Sequence, residues 1–162
     1  IANHMIYGYS CFDTDYTGMG TTMVSAVALG DEVYVLNVGD SRAYRITKRK
    51  LVQITRDHSL VQDMVDRGEI SAEEARTHPR RNVITRALGV DENVPCDIFK
   101  PRLSRGDMLL LCSDGLTNML EDREIFELSK HNPDPLSLGR ALMAEALERG
   151  ATDNVTVVII SK

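Results

Sequence analysis

Apolar residues along this chain keep two rhythms, and each marks a different kind of element. Residues 108–112 are five apolar residues with no polar interruption, a pattern that suits a strand buried on both faces. The run opens after Gly106-Asp107 and stops at Ser113-Asp114-Gly115, where a carboxylate stands beside the residue most tolerant of tight backbone geometry. Residues 33–38 repeat the device, a strand pattern that ends in Gly39-Asp40-Ser41-Arg42. Near the far end, Asp153 is placed directly before a β-branched strand over 154–160. Three apolar strands, each flanked by one Asp, are the first pattern with chemical content.

The remaining elements follow from period and punctuation. Residues 1–10 carry Ile1, Met5 and Ile6 at helical spacing and lose the pattern at Gly8, which predicts the last turns of a helix. Residues 11–17 read as a polar loop. Strands over 21–29 and 32–38 are joined through Gly30-Asp31 as a hairpin. A second hairpin joins 43–46 to 51–54 through the basic turn Thr47-Lys48-Arg49-Lys50, a solvated tip. Around Asp57 the period changes: Leu60, Val61, Met64 and Val65 fall at helical spacing, with Gly68 as C-cap. Ser71-Ala72-Glu73-Glu74 is a capping-box pattern, and His78-Pro79 ends the helix it starts. Residues 57–89 are therefore a helical insertion between β segments. A strand near 97–100, a helical turn over 116–120 and helices over 122–130 and 135–149 complete the reading. Hairpins with grouped helices predict an α+β layered single domain over 1–162 rather than a parallel βαβ sheet.

Composition narrows the function classes. A chain of 162 residues, 43% hydrophobic and 27% charged, has room for one real core. The net charge of −5 leaves no electrostatic footprint for nucleic acid or an anionic membrane. Cys11, Cys96 and Cys112 are odd in number and lack CxxC spacing, which predicts a reducing compartment and a cytoplasmic protein. Cys112, inside the most apolar strand, reads as a small buried hydrophobe. No apolar run approaches the ~20 residues needed to cross a bilayer, and no secretory pattern is present. The chain begins at Ile1 rather than Met, so an N-terminal truncation is expected.

The common nucleotide, serine-hydrolase and zincin motifs are absent. His4, His58, His78 and His131 are scattered, and Ser41, Ser59 and Ser113 have no base nearby in sequence. His58 reads as a cap or packing residue at a helix start. Hard divalent cations take oxygen ligands from a few carboxylates and water. Asp40, Asp114 and Asp153 would supply them if their strands are neighbours; as isolated residues they are equally explained as turn formers.

Six segments in order carry a resemblance: Gly18-Met19-Gly20-Thr21-Thr22, Gly39-Asp40-Ser41-Arg42, Thr55-Arg56-Asp57-His58-Ser59, Arg81-Asn82-Val83-Ile84-Thr85-Arg86-Ala87-Leu88-Gly89, Ser113-Asp114-Gly115-Leu116 and Thr152-Asp153-Asn154-Val155-Thr156. Together they closely resemble the bacterial branch of the metal-dependent type 2C serine/threonine protein phosphatases. The resemblance implies a β-sandwich of two mainly antiparallel sheets with helices on both outer faces. It also implies a dinuclear Mn²⁺/Mg²⁺ site whose water attacks a phosphoserine or phosphothreonine. By motif position, Asp114 and Asp153 match ligands of one core metal, and Asp40 with Asp114 matches the pair for a third, weaker metal. Residues 57–89 match the flap beside the active site. Its Arg80 and Arg81 are read as a solvated basic edge, with contact to a phosphoprotein as the alternative. Arg42 is read as tying down its loop, and Asn154 and Thr156 as shaping the turn before the last strand.

The family's opening strand, its phosphate-binding Arg and its Asp-Gly-x-Gly-Gly segment are not among these residues. The chain matches roughly the C-terminal two-thirds of the catalytic domain. The resemblance thus implies phosphoprotein substrates, opposition to a serine/threonine kinase, weak or no activity of these residues alone, and self-association through open sheet edges. The competing expectation is a non-catalytic, phosphatase-like regulatory or binding module.

Overall fold

Two antiparallel sheets form the β framework of the computed structural model, which describes residues 1–30 and 32–162. Strands β1 (Met23–Leu29) and β2 (Glu32–Val38) make the first predicted hairpin, with Leu29 opposite Glu32. Gly30 takes φ 61° in its turn, and Asp31 lies outside the described residues. Strands β3 (Arg42–Ile46) and β4 (Leu51–Gln53) make the second hairpin, where the Thr47 hydroxyl accepts from the N–H groups of Arg49 and Lys50. Strand β5 (Asp97–Phe99) pairs with β2 and gives a sheet ordered β1-β2-β5. Strands β6 (Met108–Cys112) and β7 (Val157–Ser161) complete the other sheet, ordered β4-β3-β6-β7.

The central strand explains its own sequence. All five residues of β6 are buried. Leu109 and Leu111 face Val35 and Ala43 between the sheets. Met108, Leu110 and Cys112 face the opposite way, joining Tyr44 and Ile46 under a layer of helices. With both faces covered, polar alternation has no place in the run. Each buried Leu contributes about 1.5–3 kcal/mol.

Six α-helices are described: α1 (Ala2–Phe12), α2 (Leu60–Asp66), α3 (Ala72–Thr77), α4 (Asp114–Thr117), α5 (Asp122–His131) and α6 (Pro135–Glu148). Leu116, Leu120, Ile125, Leu138, Leu142 and Ala146 carry α4–α6 and the turn after α4 onto the four-stranded sheet. The predicted capping box is present: Ser71 and Glu74 satisfy each other at the start of α3. At the start of α2 the cap is Ser59, which accepts from the Gln62 N–H.

The first strand begins at Met23 rather than 21 and α4 spans Asp114–Thr117 rather than 116–120; two further shifts have a tertiary cause. Helix α1 runs through Gly8 to Phe12, because contacts outside the helix hold it. Asn3 donates to the carbonyls of Asp91 and Glu92, and Ser10 donates to that of Gly89. At the far end, β7 begins at Val157, so Asn154, Val155 and Thr156 separate it from Asp153. The ladder gives way to side-chain bonds there: the Ser113 N–H still donates to the Thr156 carbonyl, but its hydroxyl accepts from the Thr156 N–H and donates to the Asn154 carbonyl.

Candidate metal centre

Antiparallel register, not sequence proximity, assembles the acidic site. Arg42 on β3 lies opposite Cys112 on β6. Asp40 and Asp114 stand two residues beyond these paired ends, at the same edge of the sheet. Both line a cleft of about 520 Å³. Burial, and next the negative charge of Asp114, push the Asp40 carboxyl up to about 6 from an ordinary 3.8. Asn118 donates from Nδ2 to Asp114 Oδ2 at 3.2 Å, one helical turn on. Asp153 sits apart: it is exposed, accepts the N–H of its neighbour Asn154 at 2.7 Å, and does not line the cleft. Its loop nonetheless abuts the Asp114 turn, since a Cβ on Gly115 would meet the Asn154 carbonyl oxygen at 2.4 Å. Among the described residues, no three His, Cys, Asp or Glu side chains form a metal cage.

The chemistry of the facing pair fits a hard divalent cation. Two carboxylates confront each other in a half-buried cleft, and Mg²⁺-type ions are held by one or two carboxylates with water completing the shell. Burial of Asp40, with repulsion from Asp114 second, yields a stability prediction. The raised carboxyl makes ionised Asp40 unfavourable in the fold, a penalty that begins as pH rises past the ordinary value and is complete above about 6. Asp40→Asn is therefore expected to stabilise the metal-free chain at pH 7–8 and to have little effect near pH 4. The shift corresponds to roughly 3 kcal/mol, which partial solvent exposure reduces to about 1. Thermal unfolding in chelator at the two pH values checks the sign.

One wall of the cleft is a hydrogen-bonded network. Arg42 Nε donates to both carboxylate oxygens of Asp57 at 3.0 and 2.9 Å, and its Nη2 donates to Oδ2 at 2.7 Å. Arg42 Nη1 donates to the Tyr44 hydroxyl at 3.0 Å, which donates in turn to Asp122 at 3.0 Å. Gln53 donates to Asp57 from the other side at 3.0 Å. Arg42 thus ties its strand to the 55–59 segment, as its motif position suggested. The opposite wall comes from residues 57–89: Gln62, Ala72, Arg76 and Arg81 line the cleft. Arg76 reaches across to the Thr117 carbonyl at 3.4 Å. Arg81 faces the cleft, whereas Arg80 does not line it.

Some functional surface escaped the sequence reading. Asp57 lies within a quoted motif but had no role assigned. Asp122, Arg76 and Arg123 gave no signal, because each reaches the cleft only through tertiary packing. His58 is not the helix cap; Ser59 is. Cys112 behaves as expected, with burial pushing its thiol up to about 12 and leaving it unreactive at neutral pH.

The architecture is an α+β sandwich with an acidic, arginine-rimmed cleft at the ends of its central strands. Residues 8–148 match the protein phosphatase 2C family, and the chain belongs to that family. It is 42% identical over 160 residues to serine/threonine phosphatase stp of Listeria monocytogenes, covering 99% of this chain and 64% of that protein. The crystal structure of serine/threonine phosphatase Stp1 from Staphylococcus aureus superposes with a TM-score of 0.95 at 44% identity, covering 99% of this chain and 63% of the other. The catalytic domain of serine/threonine protein phosphatase PstP in complex with two manganese ions gives a TM-score of 0.86 at 36% identity, with 97% and 65% covered. The chain therefore spans somewhat less than two-thirds of the length of the relatives it matches. No helix among the described residues is long and apolar enough to cross a membrane.

Proposed function

We propose that the protein containing this chain hydrolyses phosphoserine and phosphothreonine in phosphoproteins, with Asp40, Asp114 and Asp153 as ligands for Mn²⁺ or Mg²⁺. The observation that carries the reading is that Asp40 and Asp114, just beyond the paired ends of β3 and β6, line one cleft of a protein phosphatase 2C chain and feel each other's charge. Two further facts support it: the relatives are named serine/threonine phosphatases, and one of them holds two manganese ions. Those names favour catalysis over a non-catalytic binding module. Opposition to a serine/threonine kinase follows from the same substrate class.

A bound divalent cation supplies an activated water and neutralises charge on phosphoryl oxygens. The chain's own residues do the rest. Asn118 orients the Asp114 carboxylate. Arg76, Arg81 and Arg123 present positive charge along the cleft where a phosphorylated segment would lie. The Arg42–Asp57 pair keeps the wall beneath them rigid.

The Asp-Gly-x-Gly-Gly carboxylate implied by the resemblance is not among these residues, so the 162-residue chain alone is expected to turn over weakly. The test is Mn²⁺-dependent hydrolysis of p-nitrophenyl phosphate by this chain and by one extended with a relative's N-terminal segment. The extended protein should be active, and Asp114→Asn should reduce that activity by about 100-fold or more. Activity that ignores Mn²⁺ or Asp114→Asn would overturn the reading. Full activity of the unextended chain would show that the remaining carboxylates suffice.

A further inference from the structure

Among the described residues, no other residue's side chain hydrogen-bonds the Asp40 carboxylate, so its direction is set by the backbone turn on which it stands. That turn is held from outside the carboxylate set. We propose that His58 is a positioning residue for Asp40, acting through the Gly39 backbone; this rests on the reading of Asp40 as a metal ligand.

The geometry is specific. His58 is 2% exposed. Its Nδ1 accepts the Gly39 N–H at 3.0 Å, and its own backbone N–H donates to the Gly39 carbonyl at 3.0 Å. One residue therefore holds both backbone polar groups of Gly39, the residue before Asp40. The buried Asn37 amide adds a second grip, donating to the carbonyls of Gly39 and Arg56 at 3.2 and 3.1 Å. Gly39 takes φ 109°, and a Cβ there would meet Thr22 Cγ2 at 2.4 Å, so the turn has little freedom to relax.

The outer half of the imidazole is also held. Because Nδ1 accepts a backbone proton, the ring proton resides on Nε2, facing Asp97 Oδ2 at 3.2 Å. The other oxygen of Asp97 accepts from Arg86 Nη1 at 2.7 Å. A line of bonds therefore runs from Arg86, near the end of the 57–89 segment, through Asp97 and His58 to the Asp40 turn. Partners that hydrogen-bond a metal ligand fix its orientation, and losing one typically weakens metal binding 10–100-fold; His58 acts one residue further out, through the Gly39 backbone, so the lower end of that range applies. The plain alternative is that His58 fills core volume.

Two near-isosteric variants separate these. His58→Asn keeps an acceptor at the Nδ1 position and gives up Asp97. His58→Gln keeps a donor near the Nε2 position and gives up the acceptor for Gly39. Both lose ring volume, so a filling role alone penalises the smaller Asn at least as much. The readouts on the 162-residue chain are Gly39 amide hydrogen exchange by NMR without metal, and Mn²⁺ affinity from the EPR signal of the free ion, with Asp40→Asn as reference. His58→Gln should speed Gly39 exchange and weaken the Asp40-dependent Mn²⁺ binding, each about tenfold, while His58→Asn stays within about threefold. Equal or greater damage from His58→Asn, or unchanged Gly39 exchange in His58→Gln, overturns the proposal. If the exchange pattern appears but Asp40→Asn binds Mn²⁺ as well as wild type, the ligand reading of Asp40 is overturned and the grip of His58 on the turn is upheld. Should the His58 variants fold poorly, Asp97→Ala leaves the ring in place with its outer partner gone. Gly39 exchange and Mn²⁺ binding should then stay within about threefold, as in His58→Asn, because Nδ1 still accepts the Gly39 N–H; a tenfold loss of either overturns the proposal.

Discussion

Asp57→Ala is expected to destabilise the chain by about 3–5 kcal/mol, seen as a lower urea midpoint. The Asp57 side chain is only 8% exposed and accepts from Arg42 and Gln53. Removing it strands the Arg42 guanidinium, itself only 23% exposed, beside the sheet. Arg42 retains the Tyr44 hydroxyl as a partner but loses the one carboxylate it hydrogen-bonds among the described residues. The loss comes mainly from the uncompensated charge rather than from the pair's net contribution. Replacing both residues together, Arg42→Met with Asp57→Leu, should recover much of the difference. If the double variant instead shows the sum of two single losses, the two side chains are not energetically coupled.

Gly115→Ala should be the most damaging single-methyl change near the site. Its Cβ would stand 2.4 Å from the Asn154 carbonyl oxygen and 3.0 Å from that residue's carbonyl carbon. Both are backbone atoms, so the strain cannot be relieved by a rotamer change. The Asp114 turn must separate from the loop carrying Asp153, and Ser113 loses its bonds to residues 154 and 156 with it. A loss of about 2–3 kcal/mol is expected, at the upper end for overpacking. Mn²⁺ binding should weaken in parallel, because the two carboxylates are no longer held at a fixed separation. Unchanged Mn²⁺ affinity alongside reduced stability would detach Asp153 from the centre.

Local features were legible in the sequence because local chemistry decides them. Ser71 caps its helix by bonds to the next turn, and the Thr47–Lys50 tip closes on its own hydroxyl. The unbroken apolar run 108–112 announced a strand covered on both faces. The site was legible only as a set of residue types at strand ends. That Asp40 meets Asp114 depends on the pairing of β3 with β6, and that Tyr44 meets Asp122 joins residues 78 apart. No local pattern encodes either contact. The extension of α1 past Gly8 has the same origin. A mid-helix glycine weakens a helix by about 1 kcal/mol, and anchorage to residues 89–92 overrides it. The start of β7 was misplaced because Ser113, distant in sequence, takes the bonds that a longer strand would have made.

The doubly covered strand has a consequence for biosynthesis. β6 finds one partner in β3, already made, but the other, β7, is pinned at Cys112 opposite Val157 and leaves the ribosome some 45 residues later. At translation rates of about 5–20 residues per second, the Met-Leu-Leu-Leu-Cys segment waits roughly two to nine seconds for that edge to close. It is an uncharged, β-prone stretch of the kind that nucleates aggregation while unpaired. Arg105 and Asp107, just upstream, are charges suited to guarding it in the interim. The segment that anchors the finished sheet is thus left with one open edge until the end of the chain is made.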